Sequence, residues 1–78
     1  MLIIFGLAYG HGCLVTLPVS YSTLSSYAVA TSAIATGWAL VPHEYNIINQ
    51  TATSFQIRML ENNRGSSTMN AYYISTGY

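Results

Sequence analysis

From Met1 to His43 no side chain is Asp, Glu, Lys or Arg, and the whole 78-residue chain holds four such residues: Glu44, Arg58, Glu61 and Arg64. An ordinary soluble domain is about one-quarter charged, and a free-standing monomer stays dispersed by covering itself with mixed charges. Here charged residues make up 5% of the chain and apolar ones 51%. Such a chain must place much of its surface against other chains or in lipid. Length sharpens the constraint. A single domain this small buries only about 60% of the surface its unfolded chain exposes, so it usually leans on disulfides, a metal or a partner. Cys13 is the only cysteine, which excludes an intrachain disulfide. The candidate metal ligands are His11, His43, Cys13, Glu44 and Glu61, with no pair at zinc-site spacing. No metal or cofactor is expected, and oligomerisation is the option that remains.

Two other destinations for an apolar chain read poorly. A spanning helix needs about 20 predominantly apolar residues in succession. The best window, Leu24 to Val41, is interrupted by Ser25, Ser26, Thr31, Ser32, Thr36 and Gly37 and stops at Pro42. The run from Met1 to Ala8 is short and lacks the basic flank of a signal peptide. A net charge of zero leaves no cluster of Lys and Arg for phosphates, so nucleic acid is set aside.

The side chains favour strands. Tyr, Thr, Val and Ile are abundant, while Lys is absent. In Ser54 to Leu60, Phe55, Ile57 and Met59 alternate with Gln56 and Arg58, the pattern of a half-buried strand. Tyr45 to Asn49 forms another, joined to it by the polar connection Asn49-Gln50-Thr51-Ala52-Thr53, which suits an antiparallel hairpin. Leu2 to Phe5, continuing toward Tyr9, opens the chain before a bend where Gly10 and Gly12 bracket His11. Cys13 to Leu17 ends at Pro18, which cannot donate to a ladder. Val19 to Leu24 reads as a turn-rich crossing. Tyr27 to Ala33 sets Tyr27, Val29, Thr31 and Ala33 opposite small Ala28, Ala30 and Ser32. Asn62 to Ser67 reads as an exposed loop, and Met69 to Ser75 is the last strand. About six short strands with turn signals between them predict a single all-β domain, an antiparallel sandwich or small barrel, of which the small sandwich is the expectation taken forward.

The order of these pieces resembles the small C-terminal domain of phage and prophage tail-fibre proteins. The matching pieces are Leu2-Ile3-Ile4-Phe5-Gly6, Val15-Thr16-Leu17-Pro18-Val19-Ser20-Tyr21, Thr53-Ser54-Phe55-Gln56-Ile57 and Tyr72-Tyr73-Ile74-Ser75-Thr76-Gly77-Tyr78. They span nearly the whole chain in order. Two features depart from the pattern: Ile4-Phe5 stands where the family has Gln-Trp, and the stretch from Trp38 to Tyr45 has no counterpart. The resemblance implies a trimeric, knob-like fibre tip in a virion, contacting a bacterial surface glycan or an outer-membrane protein. The trimer would be of this chain alone or docked on a longer fibre. Met1 directly before the opening strand fits a separately made chain that attaches to, or chaperones, such a fibre.

Catalysis has little to work with. Glu44 and Glu61 are the only carboxylates, and a glycosidase pair would need a groove this length does not build alone. Cys13 reads as a small buried hydrophobe, and a Cys-His nucleophile has no evident third group to orient it. The chain is therefore expected not to be an enzyme. Its seven Tyr and one Trp offer flat amphipathic faces for sugar rings or protein receptors. Trp38, Tyr45 and Tyr21 lie in or beside connections and are receptor candidates, as are Asn62, Asn63 and Arg64, whose amide and guanidinium donors can grip hydroxyls or carbonyls. Tyr72 and Tyr73 point to opposite faces of one strand, so one of them belongs to the core or to a subunit seam.

Overall fold

The computed structural model describes residues 1–33, 43–65 and 69–78. These form two antiparallel sheets, as the alternation predicts. One sheet has the order β1-β7-β3, from Leu2–Tyr9, Asn70–Gly77 and Tyr27–Ala33. The other has the order β2-β5-β4, from Cys13–Thr16, Ser54–Glu61 and His43–Ile48, with the two-residue β6 (Arg64–Gly65) also paired to β5. The first will be called the β7 sheet and the second the β5 sheet, after their central strands.

All six expected strands are present, and several run longer. β1 continues to Tyr9 because β7 pairs with it along its full length, from Leu2↔Gly77 to Tyr9↔Asn70. β4 begins at His43, where it pairs with Glu61, and stops at Ile48 because Asn49 turns to φ 51°, outside strand geometry. The expected hairpin across Asn49 to Thr53 is there. Of the loop expected from Asn62 to Ser67, residues 66 and 67 lie outside the described residues, and the part up to Gly65 turns more tightly than its composition implied. Asn62 and Asn63, at φ 51° and 63°, form a two-residue reversal between the paired Glu61 and Arg64. Two positive φ values in a two-residue hairpin are the signature of a type I′ turn, which asparagine tolerates.

The core lies between the sheets. Phe55, Ile57 and Met59 come from β5, Ala8 and Ala71 from the facing sheet, and Tyr27 from β3. Leu17, Tyr21 and Met69, on connections, close it. Tyr73 meets Phe55 edge-on at 5.3 Å across the interlayer space. Its ring also covers Gly6, its register partner, where an added Cβ would fall within 2.6 Å of the hydroxyl. A small polar network crosses the same space. The fully buried Ser75 hydroxyl lies 2.8 Å from that of Tyr21, which stacks on Tyr27 at 4.1 Å, and the Tyr27 hydroxyl donates to the Thr51 carbonyl at 2.6 Å. Satisfied in this way, these polar groups avoid the cost of burial without a partner. Gly77 is held close to β3: a Cβ there would collide with the Ser26 carbonyl and Tyr27.

The outward-facing positions of the two sheets differ in kind. On the β7 sheet they are Ile3, Phe5, Leu7, Tyr9, Tyr72, Ile74 and Thr76, with the small Ala28 and Ala30 on β3. No charge stands among them. On the β5 sheet they include Glu44, Asn46, Gln56, Arg58 and Thr16, with the exposed Leu14 and Ile48 and the buried Leu60 as the large apolar members. Among the described residues no helix is long and apolar enough to cross a membrane.

Candidate functional site

One end of the sandwich gathers the turns β1–β2 and β5–β6, the end of β3 and the starts of β4 and β7. The β1–β2 turn leaves one sheet for the other through Gly10 and Gly12, at φ 85° and 75°. It is tied down by Gly10 N–H to the Met69 carbonyl at 2.7 Å and Gly12 N–H to the Ile57 carbonyl at 2.8 Å. His11 projects from its apex. β2 pairs with β5 only up to Cys13↔Ile57, and β6 begins at Leu60↔Gly65, so Met59 falls between two partners. The His11 imidazole fills that gap: its Nδ1 accepts the Met59 N–H at 3.0 Å. Accepting there places the ring proton on Nε2. The imidazole also lies over Gly65, where a Cβ would come within 2.6 Å of Cδ2. The two turns thus brace one another, and Asn62, Asn63 and Arg64 stand exposed on a fixed hairpin beside His11.

The sequence-predicted site residues fall in three places. Asn62, Asn63 and Arg64 are together at this tip. Trp38 lies outside the described residues. Tyr45 starts near the same end but faces inward: its ring packs on the core and its hydroxyl donates to the Asn70 carbonyl at 3.1 Å. Burial, and secondarily the Glu61 carboxylate, push that hydroxyl's pKa upward. Tyr45 therefore fastens one sheet to the other and offers a receptor only the part of its ring left uncovered. Tyr21, also a receptor candidate by its position in a connection, is instead buried in the stack with Tyr27. Its hydrogen bond to Ser75, 54 residues away, has no local signal in the sequence.

The sequence places His11 in a bend and among the candidate metal ligands, and gives no sign of the bracing role it has here. The bracket of two glycines marked the bend, but its contacts with Met59 and Gly65 join parts of the chain about fifty residues apart. Chemically, the tip offers amide donors and acceptors from two asparagines and a planar five-donor guanidinium. That set suits sugar hydroxyls, carbonyls or a carboxylate. The imidazole's Nδ1 is occupied by the Met59 N–H. Among the described residues no three His, Cys, Asp or Glu side chains converge on one point. No family model, curated protein or solved structure matches the chain.

Proposed function

We propose that this chain is a tail-fibre tip domain of a phage particle, a non-catalytic module that recognises a receptor on the bacterial surface. It works as a homotrimer, by itself or docked on a longer fibre chain, and its receptor is a surface glycan or an outer-membrane protein. The observation that carries the reading is the tip: Asn62, Asn63 and Arg64 are held out on a type I′ hairpin whose base is braced by His11. A rigid turn presenting adaptable polar donors is a sound way to bind a hydroxyl-rich or carbonyl-rich surface, because little order is lost on contact. Three copies engaging at once would raise weak single-site binding by the effective concentration of linked sites. The ordered strand-and-turn pieces that resemble the tail-fibre domain support the same reading.

A second reading has its own support in the uncharged outer face of the β7 sheet: a structural or assembly-chaperone subunit of the fibre that never touches a receptor. One variant separates the two. Asn62→Gly and Asn63→Gly keep the positive φ of the turn, and Arg64→Ala removes the guanidinium. Particles that assemble normally but lose adsorption at least tenfold are the expected result. Unchanged adsorption contradicts the recognition role, and failed assembly favours the structural one.

A further inference from the structure

The outer face of the β7 sheet is graded across its width. Register rows run straight across the three strands: Phe5 beside Ile74 beside Ala30, and Ile3 beside Thr76 beside Ala28. Large side chains therefore form a ridge along the β1 edge, and alanines leave a trough along the β3 edge. Phe5 is 78% exposed and Tyr72 57%. The hollow that Phe5, Leu7, Ala30, Tyr72 and Ile74 surround has a volume of about 550 Å³.

We propose that this face is covered by another copy of this chain, with the Ile3–Phe5 ridge of one copy seated in the Ala28–Ala30 trough of the next. The ridge and the trough sit on opposite edges of one surface at the same height along the strands. A second copy therefore brings the complementary shape in register, which an unrelated partner has no reason to do. Chemistry agrees, since the face carries no charge and would ask a partner for none. Area agrees as well. With about 150–250 Å² on each aromatic side chain, the exposed parts of the large residues come to roughly 700 Å², near the ~800 Å² per partner of a standard interface. That exceeds the ~300–600 Å² patch of an ordinary monomer. This contact is the surface behind the oligomer of the proposed function and rests on that oligomer existing. It does not by itself fix the number of copies.

A cysteine pair tests the contact. In a Cys13→Ser background, Phe5→Cys and Ala30→Cys are introduced together and the purified protein is oxidised. Within one copy the two positions flank β7, two strand spacings of about 4.8 Å apart, beyond the ~7 Å Cα limit of a disulfide. Only a neighbouring copy can close the bond. Covalent oligomers on a non-reducing gel, absent from either single variant, are the expected result. A purely monomeric gel from a protein that is oligomeric in solution overturns this contact while leaving the oligomer standing. A ladder stopping at two copies upholds the contact and contradicts the three-fold fibre tip. A monomeric wild type that only sediments with neutral phosphatidylcholine vesicles overturns both, and makes the face a membrane surface.

Discussion

Phe5 and Leu14 are both large, apolar and mostly exposed, at 78% and 64%, yet they stand on surfaces of different kinds. Leu14 lies on the outer side of the β5 sheet, near Gln56 and in the same layer as Glu44, Asn46 and Arg58. There the apolar side chain is one of a few, as on most soluble proteins. Phe5 has Ile74 beside it and Leu7 two residues on, with no charge anywhere on its face. In the proposed oligomer the sandwich is solvated on one side and covered on the other. Scattered exposed leucines need no explanation, whereas a continuous uncharged sheet face does.

Charging each face in turn separates the two surfaces most strongly. Phe5→Asp places a carboxylate where the ridge should be desolvated. It is expected to lower the oligomer's association constant by more than a thousandfold, read as a collapse to monomer in sedimentation velocity. Leu14→Asp, on the edge of the other sheet, is expected to leave the sedimentation profile unchanged. Equal effects from both would erase the distinction between the faces.

The next largest effect separates the inner layer from the outer one. Ile57→Ala opens a cavity beneath a fully buried position and is expected to cost about 2–5 kcal/mol. Chemical denaturation should show this loss at every protein concentration. Ile74→Ala removes a side chain of the same type from the outer face that the proposed oligomer covers, so its cost should shrink as protein is diluted toward the monomer. A concentration-independent loss from Ile74→Ala would mean that no copy covers it.

The smallest effect concerns the inward-facing tyrosines. Burial, then the neighbouring Tyr21, raises the pKa of Tyr27, and burial, then Glu61, raises that of Tyr45. The folded state thus holds protons that the unfolded chain releases near pH 10. Their contribution is fully present below about pH 10 and is lost as the pH climbs through the raised values. Melting temperatures should fall across that alkaline window, and Tyr27→Phe should flatten the fall. A fall beginning well below pH 9 would point to another group.

Much of the fold was legible because period-2 alternation survives wherever one side of a strand meets solvent. Phe55, Ile57 and Met59 against Gln56 and Arg58 announced β5 with its inner face correctly assigned, and Tyr27 to Ala33 was marked along its whole length. β1 and β7 were legible as strands, but not in their orientation. Ile3 beside Ile4 and Tyr72 beside Tyr73 are apolar on both sides, so nothing in the pattern tells the core from the outer face. That ambiguity has a physical cause, since in the proposed oligomer both faces leave water. At the tip, Asn62-Asn63 marked a turn, whereas the pairing of Arg64 with Glu61 depends on β5 extending to meet it. The His11 brace and the Tyr21–Ser75 bond depend on distant chain segments meeting, and no local signal carries either.

In the proposed assembly the uncharged outer face of the β7 sheet is covered by copies of the same chain. Multi-angle light scattering of the wild-type protein, at micromolar concentration and without detergent, tests it most directly. A single species of three times the 8.5 kDa chain mass is the expected result; a stable, well-folded monomer would contradict it.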